Sequence, residues 1–589
     1  MRSMHPVLPL PSVLKHRDSV QGGNKMKELL YLNKHMALIN FSKSYYTTTD
    51  ELISSDSFDL FLSAFLKDYE LSHPRMYRWL IQDLPLNEVK KDLKRLMKVL
   101  MVLDRDEVQH PLIKESDKLL QVVEDAYRFW RNMQRYSLIH TKNREGLEHS
   151  NFIEADNTYN QMILNMYRTI QQKVQGSKNR VYRQLQAGTN ASFFLSRYDW
   201  NIPAEYEQLR SIPFINKILL RTPLIIHTKS NKRHGMFTQA LTNPIFEFVN
   251  GNDEWFCFPC RVGKLLTFFY FHRDYTPSAV ALSNLFELAA ESECVGHKPD
   301  CIVLFGNPDG KKDTTFYHDV THDIWVGKVS YDDVIHYFGY TKKMCLTLHN
   351  LCVMEKGWLP LHGAMINLHM KDGSKKGLVF IGDSGAGKSE TIEALSAVAK
   401  DEILYSEVVF DDMGSMHLAD GQLKAQGTEI GAFVRLDDLD KGTAYRDIDR
   451  SVFFNPENMN ARIVIPAAPY KVVVENHDID MVIYANNYDD KRGLKRFTDV
   501  KEAKKTFLEG KRFALGTTSE NGLSSTFFAN PFGPMQKQAQ CYPIFNQMFD
   551  TMFEKNIFVG EIYTCLGLPN KGDDGLKIAA RELLEEIKK

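Results

Sequence analysis

The sequence predicts an α/β (α+β) fold: a P-loop nucleotide-binding core, a mixed region before it, and an added helical domain at the N-terminus. Three observations carry this expectation. Residues Gly382 to Ser389 read Gly-Asp-Ser-Gly-Ala-Gly-Lys-Ser, a complete G-x-x-x-x-G-K-[ST] loop. An apolar run from Gly377 to Ile381 leads into it as a buried strand, and Glu390 to Leu395 leads out as the start of a helix, the setting this motif requires. Elsewhere short β-like runs alternate with turn clusters, whereas the N-terminal part shows helical periodicity instead.

In the N-terminal part, Phe58, Phe61, Leu62, Phe65, Leu66 and Tyr69 fall on one helical face, as do Val89, Leu93, Leu96, Met97 and Leu100. Such stripes are core faces. Helices are therefore expected from about Ser57 to Thr141, with Ser57 as the first N-cap, and residues 1–150 form a helical domain. The pattern becomes mixed over 151–350. A helical stretch from Asn160 to Val174 precedes β-like runs at Pro223 to His227, Trp255 to Phe258, Leu265 to Phe271 and Cys301 to Phe305. Residues 351–589 form the P-loop domain, with further strands at Met365 to Leu368, Val408 to Phe410, Ala461 to Ile465 and Met481 to Ala485.

Composition narrows the function classes. A chain of 589 residues holds more than one domain. The net charge of −1 gives no reason to expect nucleic acid or an anionic membrane as partner. No apolar stretch approaches the ~18 residues of a membrane span, and residues 1–18 lack the apolar centre of a signal peptide. Eight scattered cysteines are no disulfide framework. The expected location is the cytoplasm. Cys257 and Cys260 form an isolated C-x-x-C inside an aromatic strand, where two half-buried strand cysteines are the expectation rather than zinc or redox chemistry.

The glycine-rich loop bears the most specific chemistry. Its glycines let backbone N–H groups approach phosphate oxygens, and the helix dipole adds positive potential there. Gly382, Asp383, Ser384, Gly385, Ala386, Gly387, Lys388, Ser389 and Glu390 are the expected nucleotide-binding residues. Lys388 is placed to reach the β/γ-phosphates, and the Ser389 hydroxyl to sit on a divalent metal. One strand–helix–strand unit later, Val408-Val409-Phe410 ends in Asp411-Asp412, carboxylates placed to hold a metal or orient a reactant. Upstream, Lys342-Lys343 precedes His362 by 19 residues, counted from Lys343. Taken singly these are a solvated lysine pair and a core histidine; their joint position before the loop marks them as candidates.

This segment resembles phosphoenolpyruvate carboxykinase. Tyr337-Phe338-Gly339-Tyr340-Thr341-Lys342-Lys343 is similar to that family's Tyr-x-Gly-x-x-Lys-Lys, and the step to His362 is similar to its lysine-to-histidine step. By resemblance Lys343, His362 and Asp412 bind the catalytic Mn²⁺, with Ser389 on a second metal, Mg²⁺; a lysine ligand must then be neutral. Glu429-Ile430-Gly431-Ala432-Phe433-Val434-Arg435 resembles the family's Glu-Gly-Gly-x-Tyr-x-Lys. Asn460-Ala461-Arg462 with Pro466 resembles its Asn-x-Arg segment, and Thr526 to Gly533 its C-terminal Thr-Phe-Ser-x-x-Phe-Gly region. The resemblance covers roughly Asp300 to Lys589.

What it implies is conversion of oxaloacetate to phosphoenolpyruvate, a decarboxylation and phosphorylation using ATP, GTP or pyrophosphate. Lys343, Lys388, Asp411, Arg435 and Arg462 would be the catalytic residues, the partners a nucleotide and a small carboxylate. Arg435 and Arg462 would neutralise phosphates and carboxylates as planar, bidentate cations.

The chain departs from the family in three places. The arginine-serine-proline-lysine segment has no counterpart, leaving Arg183 and Arg233 as candidates. Asn521, within Thr517 to Gly522, stands where an adenine-side arginine is expected. Asn486 to Arg492 replaces the lid segment rich in valine and proline. The loop Gly382 to Thr391, with Glu390, also resembles bacterial HPr kinase/phosphorylase. That leaves a kinase acting on a hydroxyl of a protein or small molecule, with an aspartate as base, as an alternative. A nucleotide-dependent sensor is the third.

Overall fold

The computed structural model describes residues 30–32, 36–40, 46–131, 133–138, 152–176, 181–182, 190–220, 222–251, 254–382, 385–436, 448–458, 460–515, 521–568 and 574–589. The chain mixes helices and sheets and divides into two compact units, Met1–Asn179 and Arg180–Lys589. The first boundary thus lies beyond the expected 150, because the helix Phe152–Gln175 belongs to the first unit. Its Tyr167 ring stacks on Tyr127 at 3.8 Å, and Tyr167 Oη donates to Glu124 Oε1 at 2.8 Å. The expected division at 350 is corrected too: 180–589 is one unit with a shared core.

In the first unit the apolar stripes become helix faces. The helix Asp56–Ser72 buries Phe58, Leu62, Phe65, Leu66 and Tyr69, and Leu86–Leu100 buries Val89, Leu93, Leu96 and Leu100. Each fully buried side chain of this size contributes about 1.5–3 kcal/mol. Ser55, not Ser57, caps the first of these helices, with Oγ accepting from Phe58 N at 3.1 Å. Ser57 lies within the helix and is buried. The unit is not wholly helical. Gln134–Leu138 pairs in parallel with Met36–Asn40, which pairs antiparallel with Leu30–Leu32. Polar alternation in Gln134 to Leu138 hid this strand from the helical reading.

The second unit holds two large sheets with one helix between them. The first sheet runs in spatial order Val181–Tyr182, Phe214–Leu220, Trp255–Val262, Leu265–His272, Cys301–Asn307, Ile324–Ser330, Thr314–Asp319 and Thr238–Gln239. The second centres on the long strand Leu359–Met370, which pairs antiparallel with Lys375–Ile381. Lys375–Ile381, Met481–Asn486 and Phe558–Tyr563 then lie parallel, side by side. Between the sheets runs the helix Phe338–Glu355, in which every residue from Phe338 to Met354 except Lys343 is buried. Residues of this helix share one core with Phe258, Phe269 and Val303 of the first sheet and Leu361, Val379 and Ile381 of the second. A helix buried almost all round shows no polar face, so Lys342, Thr341, Thr347 and Asn350 are held inside the protein.

Cys257 and Cys260 are both fully buried on Trp255–Val262. They are three apart on a strand, so they point to opposite faces, and they belong to different cores. That geometry forbids a shared metal or disulfide, and burial pushes both thiols well up from the ordinary range. No helix of the described residues is long and apolar enough to cross a membrane.

Candidate functional site

The register of Leu359–Met370 builds the site. Its first part pairs with Met413–Ala419, placing His362 opposite Met413; its second part pairs with Ile403–Phe410, placing Met365 opposite Phe410. Asp411 and Asp412 occupy the corner where the chain passes from one partner strand to the other. Gly363 N donates to the Asp412 carbonyl at 2.9 Å, fixing that corner beside His362. On the other side Gly363 faces Ile381, the last residue before the glycine-rich loop, and Gly382 N donates to the His362 carbonyl at 3.2 Å. One strand therefore holds the histidine, the aspartate corner and the loop together.

The helix Phe338–Glu355 supplies the lysines. Lys343 Nζ lies 2.7 Å from Asp412 Oδ2, and His362 Nε2 lies 3.1 Å from Asp412 Oδ1. Lys342, fully buried, bridges Asp412 Oδ2 and Glu429 Oε1, each at 2.7 Å. Burial works against the charge of Asp412, but Lys342, Lys343 and His362 outweigh it and hold the carboxyl well below its ordinary value. Burial likewise works against the charge of Lys342, which Asp412 and Glu429 overcome, so that ammonium is strengthened. Lys343 goes the other way: burial, aided by the neighbouring Lys342 charge, pushes it below the ordinary lysine value despite Asp412. Burial also raises Glu429.

His362 has its second nitrogen engaged. Nδ1 lies 2.7 Å from the carbonyl oxygen of Ala529. A carbonyl only accepts, so Nδ1 carries the hydrogen, and Nε2 is the ring nitrogen that meets Asp412 Oδ1. The carbonyl is delivered by a turn in which Phe528 and Ala529 both have left-handed backbone, φ +51° and +50°, a conformation that costs of order 1–3 kcal/mol per residue and clusters at functional sites.

Cations gather around this centre on two aromatic rings. Lys343 Nζ and Arg233 Cζ lie 4.4 and 5.2 Å from the Phe532 ring centroid. Lys342 Nζ and Arg462 Cζ lie 5.9 and 5.7 Å from that of Phe433. Arg435 faces Arg462 directly across the antiparallel pair Gly431–Arg435 and Arg462–Pro466, so both project from one face. Asn460 Nδ2 donates to the Asn231 carbonyl at 2.8 Å, tying the turn before Arg462 to the turn that carries Arg233. Arg183 lies outside the described residues.

The glycine-rich loop joins the strand Lys375–Ile381 to the helix Lys388–Val398, which begins at Lys388, two residues before the expected Glu390. Gly387 has φ +98°, and a Cβ there would meet Thr564 Cγ2 at 2.7 Å, so only glycine fits. Lys388 Nζ donates to the Gly382 carbonyl at 2.8 Å, and Ser389 Oγ lies 3.5 Å from Asp411 Oδ1. Burial pushes Asp411 up to about 6 even with Lys388 nearby. Gly385 and Ala386 are held from the neighbouring parallel strands. Asn487 Nδ2 donates to the Gly385 carbonyl at 2.9 Å, and Thr564 Oγ1 to the Ala386 carbonyl at 3.1 Å. Glu390 is half-buried in the first helical turn. Asp383 and Ser384, like Thr517 to Glu520, lie outside the described residues; Asn521 opens the hairpin strand Asn521–Ser525.

Lys343, Lys388, Ser389, Asp411, Asp412, His362, Arg462 and Arg233 were legible in the sequence as candidates. Lys342 as a bridge, Glu429 as its second carboxylate, the Ala529 carbonyl, Phe532 and Asn487 were not read as site residues. Glu429 and Phe532 stood in segments already marked by resemblance, whereas Asn487 stood in the segment that replaces the expected lid. A backbone carbonyl leaves no sequence signal at all.

Lys343, His362 and Asp412 are the side chains here that could hold a divalent cation. The Lys343 nitrogen, its proton affinity lowered by burial, and the His362 ring nitrogen Nε2 meet the two oxygens of the Asp412 carboxylate at 2.7 and 3.1 Å. Ligands about 2.1 Å from one ion and at right angles stand about 3 Å apart. No protein-family model matches the chain, and no curated protein matches it.

Proposed function

We propose that this protein is a metal- and nucleotide-dependent enzyme of the phosphoenolpyruvate carboxykinase type, built on a P-loop core, which decarboxylates and phosphorylates oxaloacetate. The observation that supports the reading is that Lys343 and His362 each meet the Asp412 carboxylate, on its two different oxygens, beside the glycine-rich loop.

Lys343, His362 and Asp412 would hold Mn²⁺, and Ser389 with Asp411 would hold Mg²⁺; such ions polarise a keto oxygen and neutralise phosphoryl charge. The chain's own groups do the rest. Arg233 and Arg462, held over the Phe532 and Phe433 rings, add positive charge beside Lys342, Asp412 and Glu429, which favours a small anionic substrate. Arg435 and Arg462 offer paired guanidiniums to carboxylate or phosphate. Backbone N–H groups of the loop, with Lys388 released from the Gly382 carbonyl, take the nucleotide phosphates. Lys342 stays charged between Asp412 and Glu429 and orients the Asp412 carboxylate. Exclusion of water on substrate binding would keep the enolate carbon from being protonated.

A second reading, transfer to a hydroxyl acceptor, is favoured by one observation: Asp411, with its proton affinity raised to about 6, lies beside Ser389 where a base is needed.

The test is purified protein with oxaloacetate, Mn²⁺ and ATP, GTP or pyrophosphate in turn, with phosphoenolpyruvate as readout. Product is expected with at least one donor, and Lys343→Ala should abolish it while nucleotide binding persists. No product with any donor overturns the carboxykinase reading. Phosphoryl transfer that survives Lys343→Ala supports the hydroxyl kinase instead.

A further inference from the structure

The phosphoryl-transfer reading assigns nothing to the first unit, yet that unit holds an apolar pocket, open on one side, of about 130 Å³. The helices Thr49–Ser54, Asp56–Ser72, Leu86–Leu100, Ser116–Arg131 and Phe152–Gln175 all contribute to its wall. Phe58, Phe65, Leu96, Val122, Trp130 and Met166 line it, each nearly inaccessible to solvent. The pocket therefore reaches from an open side into the core of the unit.

Two features set this space apart from a packing irregularity. Its walls are braced by rings that meet one another: Phe61 lies edge-on to Trp130 at 6.0 Å, Phe65 lies 5.9 Å from Phe129, and Tyr127 stacks on Tyr167 at 3.8 Å. Rings held this way do not collapse inward, whereas ordinary interiors close voids down to few and small ones. Two hydroxyls of the wall are also already engaged. Ser57 Oγ and Tyr46 Oη hydrogen-bond at 3.1 Å, and Tyr167 Oη donates to Glu124 Oε1 at 2.8 Å. A buried water needs two to four polar partners, and a dry apolar cavity near this size accepts a benzene-sized guest.

We propose that the first unit is a binding module for an uncharged hydrocarbon group of about six carbons, a ring or the end of an alkyl chain. The pocket supplies dispersion contact from an almost wholly apolar lining, so it selects against polar analogues of the same shape.

Benzene and phenol test this on the full-length protein. Benzene should raise the melting temperature and show saturation transfer in ligand-observed NMR. Phenol, whose hydroxyl would be buried without a partner, should bind at least about tenfold more weakly. Ala126, on the wall and half-buried, offers the filling variant: Ala126→Leu should remove the benzene response while circular dichroism stays native. Absence of a benzene effect on the unaltered protein overturns the proposal. So does phenol binding as tightly as benzene, or benzene binding unchanged in a folded Ala126→Leu protein. Should Ala126→Leu not fold, the benzene–phenol comparison on the unaltered chain decides alone.

Discussion

Replacing Asp412 by Asn removes one charge from the centre of the site and leaves the shape nearly unchanged. In the native protein two lysine nitrogens lie 2.7 Å from Asp412 Oδ2, and one of them, Lys342, is fully buried. At an effective dielectric of about 20, each such contact is worth about 6 kcal/mol before solvation is counted. Desolvation returns most of that, and removing one partner of a buried pair costs about 3–5 kcal/mol. The Asp412 side chain is 21% exposed, so the lower end applies, about 3 kcal/mol. Glu429 then remains as the carboxylate facing both lysines. The assay is urea unfolding of Asp412→Asn beside the parent protein at pH 7 and pH 10. The sign follows from the lysines. Without Asp412, burial depresses their folded-state proton affinity, and the penalty for keeping them charged is complete at pH values below the depressed value. It disappears as pH rises toward the unfolded lysine value of about 10.4. The deficit should therefore be near 3 kcal/mol at pH 7 and clearly smaller at pH 10. A deficit under about 1 kcal/mol, or one that does not change with pH, refutes the claim that this carboxylate holds the lysine pair.

Two further outcomes follow from the loop. Asn487 is wholly buried and makes three hydrogen bonds, to the Gly385 carbonyl and to the carbonyl and N–H of Phe513. Asn487→Ala should cost about 3–4 kcal/mol, near 1 kcal/mol per bond plus an orphaned donor, and weaken a fluorescent ATP analogue in an anisotropy titration; unchanged affinity would show that the loop needs no such anchor. Asp411, raised by burial to about 6, binds its proton more tightly folded than unfolded, so native stability should fall as pH rises from about 4 to about 6. Asp411→Asn should remove that slope and be more stable than the parent at pH 8 by about 1–2 kcal/mol, discounted for its partial exposure, and equal to it near pH 4. It should also lose phosphoryl transfer, the trade expected of a strained functional group. Thermal melts across pH 4–8 with a parallel activity assay check both.

Local pattern accounts for what was legible. An apolar run, a glycine loop and a helix start follow one another in sequence, so Lys375–Ile381 and Lys388–Val398 could be read directly. The same holds for the stripes of Asp56–Ser72 and Leu86–Leu100. Local pattern failed where contacts are distant or backbone-borne. The strand Gln134–Leu138 pairs with residues about a hundred positions earlier. Asn487 reaches the loop across 102 residues, and the Ala529 carbonyl reaches His362 across 167.

By itself the sequence determined a mixed fold with helical stripes near its start, a glycine-rich loop between strand and helix, and the candidate side chains around it. Residue type and short-range spacing suffice for those. Only the tertiary structure decided that these side chains meet. The long strand Leu359–Met370 pairs with two different strands along its length, and the Asp411-Asp412 corner between them falls beside His362. The helix Phe338–Glu355, buried between two sheets, brings Lys342 and Lys343 to the same carboxylate. Strand register and the packing of a helix between sheets are set by contacts summed over the whole unit, and no window of sequence contains them.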